Sequence, residues 1–338
     1  MQSLAAVPTS RFLDAKDPLH AHLAVVTLPR AGIEVKHPDF EAICLSNRQA
    51  VYLCRERKSH ILFVCKFFGS RRHLSEAERR TLLNLEFFNL SAVREMGFSQ
   101  FPHRVVRPLS KSERINCVWV EEFARGHDLD YYIGKAAYEG QHKCLFRRLT
   151  KLAHFLAELH NSTASMERLN FVDASNYFRY LVDMLVRDQV VDAPAADKLR
   201  CLCGEWEKAD EMGADVSVLV HGDATPTNFF FHPEDGVTAI DLERMHLADR
   251  VYDVGMLAAE LRHHFAWRVY QADAAEPFIS RLLWTYCEDF PDPEAGFRAI
   301  SNRNRFYMAL GELRIARNPW LPWEHRKWLA HEACRCLQ

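Results

Sequence analysis

The residues best suited to chemistry lie in His221-Gly222-Asp223-Ala224-Thr225-Pro226-Thr227-Asn228 and, a dozen residues on, in Ile240-Asp241-Leu242-Glu243. Asp223 stands five residues before Asn228, on what reads as a tight loop between short strands. An aspartate and an asparagine so spaced can face one phosphate from two sides. Phosphoryl transfer asks for little covalent help; it needs an oriented nucleophile and metal ions against the phosphate oxygens. Asp223 suits the first task, accepting or orienting the proton of an acceptor hydroxyl. Asn228 and Asp241 offer hard oxygen ligands of the kind Mg²⁺ takes. His221 reads as a loop-holding hydrogen-bonding residue rather than an acid, and Thr225 and Thr227 as caps of the turn. Glu243 is equally a helper at a metal and a solvated carboxylate beside Arg244.

These groups need elements to hold them. From Ala42 the chain is rich in strand-like runs, AICL, AVYLCRER and HILFVCKFF, with Lys58-Ser59 as a turn before the third. This pattern predicts an antiparallel meander. A helix follows: Ser75 with Glu78 three residues later is a capping-box signature, and Gly97 is a natural stop. Within it Leu82, Leu83, Phe87, Leu90 and Val93 keep helical spacing. A further strand pair is predicted near Arg104–Leu109 and Cys117–Phe123, and Gly126 in ARGHDLD reads as a hinge. Beyond it the texture is helical, with Leu149, Leu152, Leu156 and Leu159 forming one stripe. The stretch from Val216 to Glu243 interrupts it as strand, loop, strand, turn at Glu234-Asp235-Gly236, and strand. Before residue 36 only Leu23–Leu28 (LAVVTL) reads as a strand.

At the H-x-D-x-x-x-x-N loop and the I-D-x-E segment the chain resembles the aminoglycoside-phosphotransferase and choline-kinase-like family. That family's G-D-P-x-Y-D-L-A is similar to Ala248-Asp249-Arg250-Val251-Tyr252-Asp253-Val254-Gly255, which makes Asp253 the brace of the catalytic loop. Val64-Cys65-Lys66-Phe67 resembles the strand whose lysine contacts the ATP phosphates, with Glu86 as its ion-pair partner; Glu78 competes but is better used in the capping box. Glu121-Glu122-Phe123 resembles the hinge whose backbone receives adenine, and Leu156–His160 the family's L-x-x-L-H helix end. Ser46-Asn47 resembles the S-N of choline-kinase-like members, although Cys44–Gln49 holds no glycine and Arg48 would have to supply the charge a glycine-bearing loop supplies with backbone. The resemblance covers roughly residues 40–260. It implies an α+β, protein-kinase-like two-lobed fold with a small antiparallel-sheet N-lobe and a mainly helical C-lobe. The division expected is an N-terminal extension (1–35), an N-lobe (36–126) and a C-lobe (127–338). The implied cofactors are ATP and Mg²⁺, and the implied partner is a small-molecule hydroxyl acceptor.

Composition narrows the alternatives. The formal net charge is −2, with 26% charged residues, which leaves no electrostatic footprint for nucleic acid. The charge is uneven: residues 1–126 sum to +6 and the remainder to −8. No apolar run reaches the length of a membrane span, and no signal peptide opens the chain, so a cytoplasmic enzyme with no integral membrane segment is expected. The ten cysteines then read as free thiols, and the pairs Cys201/Cys203 and Cys334/Cys336 lack zinc-finger spacing. His263-His264 reads as solvated or core histidines, and the Arg- and Trp-rich tail after Asn302 as helix packing through Met308, Leu310, Leu313 and Trp320. A protein kinase is disfavoured, because 11 residues between Asp241 and Asp253 leave no activation segment and the loop lacks the arginine of H-R-D. A non-catalytic nucleotide-binding module predicts loss of Asp223, Asn228 or Asp241, and all three are present. A cell-envelope sugar kinase stays open. The tail arginines with Arg262 and Arg268 favour an anionic sugar, whereas the acids from Glu205 to Asp215 favour a cationic acceptor such as an aminoglycoside or choline.

Overall fold

The computed structural model describes residues 10–46, 50–71, 73–233 and 236–338. The chain divides into two compact units, one of Met1–Arg125 with Thr238–Glu243, the other of Gly126–Val237 with Arg244–Gln338.

The first unit is built on a six-stranded antiparallel sheet. Its strands are β1 (Ser10–Phe12), β2 (Phe40–Ser46), β3 (Val51–Glu56), β4 (Leu62–Phe67), β6 (Pro108–Ser112) and β7 (Val118–Glu122), in the order β1-β2-β3-β4-β7-β6. The short β5 (His103–Val105) lies outside it. The meander β2–β3–β4 forms where the alternating runs predict it, with Lys66 opposite Val51 on one side and Trp119 on the other. Helix α3 (Glu76–Glu95) starts at the full capping box: the Ser75 hydroxyl accepts the Glu78 N–H, and the Glu78 carboxylate accepts the Ser75 N–H at 2.7 Å. Its apolar face buries Leu83, Leu90 and Val93, and Glu86 lies on the same buried side.

Three expectations need correction here. Residues 10–35 are no appendage: β1 pairs Ser10 with Ile43, and Leu13, Leu19, Leu23 and Leu28 are buried in the sheet's core with Phe40, Cys54, Phe63 and Val120. The run LAVVTL is helical, forming a π-helical turn (Leu23–Thr27) between α1 (Pro18–His22) and α2 (Leu28–Arg30). The signal that outweighs its strand-like composition is Asp17-Pro18, where Asp17 caps the Leu19 N–H at 2.9 Å and Pro18 occupies the first turn. Thr238–Glu243, expected in the helical part, belongs to the first unit, where the Val106 N–H bonds to Ala239 O at 3.0 Å and Asn89 Nδ2 to Leu242 O at 2.8 Å.

The second unit is helical. After the short strand β8 (His127–Asp128) come α4 (Leu129–Glu139), α5 (His142–Ser162), α6 (Val172–Arg187) and α7 (Ala193–Trp206). Strands β9 (Val218–Val220), β10 (Phe229–Phe231) and β11 (Val237–Ala239) follow, the last leading into the first unit's segment. Then come β12 (His246–Ala248), α8 (Val251–Val269), α9 (Glu276–Cys287), α10 (Pro293–Ala316) and α11 (Trp323–Leu337). The leucine stripe of α5 is fully buried. Helices α8 and α10 approach closely at Gly255, where an added Cβ would lie 2.4 Å from Tyr307 Cβ. Met308, Leu310 and Leu313 pack α10 inward as expected, whereas Trp320 is exposed, since the turn between α10 and α11 carries it outward. All ten cysteines are free. Among the described residues no helix is long and apolar enough to cross a membrane.

Candidate functional site

In the first unit, Lys66 on β4 is drawn to three carboxylates. Its ammonium lies 2.8 Å from Glu86 Oε1 on α3, 3.4 Å from Glu121 Oε1 on β7 and 3.7 Å from Asp241 Oδ1. The strand pairing that sets Lys66 beside Trp119 brings Glu121 to it, and the buried face of α3 brings Glu86. Burial would lower the lysine's pKa, but the charges of Asp241, Glu121 and Glu86 more than reverse this and hold it well above the ordinary value. Burial pushes Glu86 up to about 8 against the pull of Lys66, with Asp241 and Glu121 adding to the rise. Glu121 is likewise raised, chiefly by burial. One ammonium therefore stands against more carboxylate than it can neutralise, and Glu86 Oε2 is buried without a partner. Such a cluster keeps Lys66 charged and its position defined.

Asp241 adopts a left-handed backbone (φ 64°), a conformation aspartate tolerates better than most residues. One oxygen from each of Glu86, Asp241 and Glu243 falls within a 4.8 Å group, the arrangement among the described residues that suits a metal ion. Glu243 is also engaged by Arg71 at 2.8 Å and is mostly buried, so it is not the solvated carboxylate beside Arg244. Glu78 stays at the helix cap, leaving Glu86 as the lysine's partner. Ser46 is half-buried and pairs with Val51 across a β-bulge, while Asn47 and Arg48 lie outside the described residues. Glu121, expected at the adenine hinge, sends its side chain to Lys66 and accepts the Trp119 indole N–H at 3.0 Å; Phe123 lies just past β7, half-buried.

In the second unit, the loop from His221 to Asn228 is fastened at both ends. The buried carboxylate of Asp253, in the first turn of α8, accepts the backbone N–H of His221 at 2.6 Å and of Gly222 at 3.1 Å. His160, at the end of α5, lies 3.1 Å from the same carboxylate through Nε2 and 2.8 Å from the Tyr286 hydroxyl through Nδ1. Burial would raise the Asp253 carboxyl, but the hydrogen bond and charge of His160, the charge of His221 and the His221 N–H hold it below its usual value. Gly222 has φ 75°, and an added Cβ would lie 2.0 Å from Arg244 O, so the H-G-D glycine is required on both grounds. The Asp223 N–H points to His221 Nδ1 at 3.3 Å, making the buried His221 a loop-holding residue. Asn228 Nδ2 donates to Asp223 O at 2.9 Å, which leaves its Oδ1 as the atom it can offer a cation.

Arg314 on α10 is the residue that sequence reasoning set aside as packing. Its guanidinium pairs with Asp223 Oδ1, and Arg244 Nε lies 4.0 Å from Asp223 Oδ2. Nothing local points to this pair, whose members are 91 residues apart. His263 is buried and His264 half-buried: His263 Nδ1 lies 2.8 Å from His325 Nε2 and His264 Nε2 3.3 Å from Asp130. The C-x-C cysteines form no part of any metal-binding group among the described residues.

No curated protein matches the chain. Among solved structures, an ethanolamine kinase of Plasmodium vivax is 12% identical with a TM-score of 0.59, covering 88% of this chain and 81% of its own. The aminoglycoside phosphotransferase APH(2″)-IIa, in a ternary complex with streptomycin and ATP, is 13% identical with a TM-score of 0.54 and 96% of each chain covered. The choline kinase LicA of Streptococcus pneumoniae is 16% identical with a TM-score of 0.51, covering 87% of this chain and 90% of its own. At these identities the likeness establishes the fold, which is the α+β kinase-like one. The sequence model of the phosphotransferase enzyme family matches residues 125–295, half of the chain, and takes in the braced loop, Asp241 and Asp253. The chain belongs to the phosphotransferase enzyme family.

Proposed function

We propose that this phosphotransferase moves the γ-phosphate of ATP to the hydroxyl of a small molecule. The observation that carries the reading is Lys66, held at 2.8 Å by the buried Glu86 and 3.7 Å from Asp241. A lysine fixed by a glutamate beside a metal-type aspartate is the phosphate-handling arrangement of kinase chemistry. In this reading Lys66 contacts the α- and β-phosphates, Glu86 and Glu121 hold Lys66, and Ser46, Asn47 and the chain around Glu121 and Phe123 complete the nucleotide site.

Asp241 and Asn228 each offer an oxygen of the kind Mg²⁺ takes. Asp241 is a partly exposed carboxylate, and Asn228 has its amide nitrogen bound to the loop and its oxygen to spare. Asp241 and Asn228 would hold the ion, which supplies positive charge against the phosphate oxygens. Asp223 orients the acceptor hydroxyl and takes its proton as the oxygen bonds to the γ-phosphorus. The bond from that phosphorus to the bridging oxygen breaks, and ADP leaves with the electron pair. His221 and Asp253 keep Asp223 in place through the loop backbone.

ADP release from Mg-ATP, measured across aminoglycosides, choline, amino acids, sugars and nucleosides, tests the reading. Acceptor-dependent release is expected, and Asp223→Asn is expected to abolish it while Mg-ATP still binds. Unchanged turnover in that variant removes Asp223 from the mechanism. Failure of the wild type to bind any nucleoside triphosphate removes the enzyme reading and favours a scaffold.

A further inference from the structure

The two acceptor classes left open by the sequence are separated by what the charged groups of the second unit touch. Two of the five acids from Glu205 to Asp215, the stretch that favoured a cationic acceptor, are spent on structure. Asp215 lies 3.0 Å from Arg250 and 2.7 Å from Arg303, and Glu207 is gripped by Arg179. Arginines of the tail are spent likewise, Arg303 meeting Asp249 at 3.0 Å and Arg326 pairing with Asp188, and so is Arg262 of α8, which pairs with Glu332. Arg314 differs, because its partner is the aspartate of the H-G-D loop.

Around Asp223 the balance is cationic. Arg314 holds one carboxylate oxygen and Arg244 approaches the other at 4.0 Å. One turn beyond Arg314, Arg317 donates to the Tyr177 hydroxyl at 3.2 Å and has no carboxylate partner among the described residues. A further carboxyl whose charge Arg314 opposes is Glu260, which burial pushes up to about 7, with Asp223 and Asp130 adding to the rise. Burial would lower Arg314 itself, but Asp223, Tyr252 and Tyr177 keep it above its ordinary value, so it is a permanent cation.

Resting on the phosphotransferase reading above, we propose that the acceptor is an alcohol carrying an anionic group, carboxylate or phosphate. That anion takes the Arg314 guanidinium from Asp223 and frees the carboxylate for the hydroxyl. Without such an acceptor the proton-accepting oxygen stays occupied, which restrains transfer to water. A cationic acceptor would meet two guanidinium groups beside the one carboxylate. A planar, forked donor is suited to either anion.

The test uses the full chain with glycerate, glycerol 3-phosphate, choline, kanamycin and glycerol as probes, read by calorimetric binding and by ADP release from Mg-ATP. Glycerate or glycerol 3-phosphate, or both, is expected to bind and to stimulate release, the two arms telling carboxylate from phosphate. Arg314→Gln is expected to weaken that binding, and raise the acceptor KM, at least about tenfold with ATP affinity unchanged. Arg314→Lys keeps the charge and loses the fork, and a smaller loss is expected there; it also guards against a misfolded Gln variant.

Failure of both anionic alcohols to bind, or equal binding to wild type and Arg314→Gln, overturns the inference. So does a loss of ATP affinity in Arg314→Gln, which would assign the arginine to the nucleotide. If choline or kanamycin alone supports release, the inference falls and the phosphotransferase reading stands. If the anionic alcohols bind through Arg314 but no nucleotide binds, the acceptor site stands and the kinase reading falls.

Discussion

Asp253 holds His221 through the backbone: one carboxylate oxygen accepts the His221 N–H at 2.6 Å, and the other accepts the N–H of Gly222 at 3.1 Å. Both partners are donors, and His160 Nε2 lies 3.1 Å from the first oxygen. Asp253→Asn turns one acceptor into a donor facing a donor. A buried unsatisfied pair of this kind costs about 1–3 kcal/mol, more where a charge is involved. The expected outcome is a lowered melting temperature together with a kcat reduced by about 100-fold, since misplacement of Asp223 acts on the chemical step. A variant with wild-type kcat would show that the loop keeps its shape without this brace.

Asp241→Asn separates charge from conformation. Asparagine tolerates the left-handed backbone at φ 64°, so the segment should keep its path. The charge of Asp241 is one of the influences raising Glu86, so its removal relieves the carboxylate cluster. Thermal stability is expected to hold or rise while Mg-ATP affinity falls by at least about tenfold, the loss of one charged metal ligand. Unchanged affinity in a calorimetric titration would remove Asp241 from metal binding.

Gly222→Ala tests the backbone of the same loop. The substitution meets φ 75° and an Arg244 carbonyl oxygen 2.0 Å from the new Cβ, and a backbone atom cannot swing aside. A loss of about 2–4 kcal/mol is expected from the left-handed penalty plus the clash. Urea denaturation of the variant measures it, and a loss below about 1 kcal/mol would mean that the loop repacks freely.

Glu312, on α10, gives a pH signature. Burial pushes its carboxyl from 4.5 up to about 8, with the charge of Glu332 adding and Arg262 opposing. Its folded pKa lies above its unfolded one, so the stability it contributes is complete below 4.5 and is lost as the pH rises towards about 8. Glu312→Gln removes that dependence. Relative to wild type, the variant should gain stability between about pH 5 and pH 8 by up to about 1.4 kcal/mol per unit, and level off above. A difference that stays flat across this range would place an ionised carboxylate there at neutral pH.

Local order made part of this protein legible. The Ser75/Glu78 capping box, the meander from β2 to β4, the leucine stripe of α5 and the H-G-D loop with its positive-φ glycine each rest on residues within a few positions of one another. Asp17-Pro18 was equally local and outranked the strand-like look of LAVVTL, because a capped proline start commits the chain to a helical turn. Lys66 with Glu86 was legible through the resemblance, since 20 residues separate a strand lysine from a glutamate on the following helix.

Other relationships arise only in three dimensions. The pairing of β4 with β7 made the Glu121 side chain a partner of Lys66, and packing placed Thr238–Glu243, with Asp241, in the sheet-bearing unit. Asp215, in the acidic stretch that favours a cationic acceptor by sequence, is neutralised by Arg250 and Arg303. Arg314 reaches Asp223 from the far helix α10, brought inward where Gly255 lets that helix lie against α8. The sequence by itself determined which residue types and turns were available, because hydrophobic period, caps and positive-φ positions act over a few residues. The tertiary structure alone decided which charge faces which, because Coulomb partners are chosen by distance in space and by burial, and neither is written in spacing along the chain.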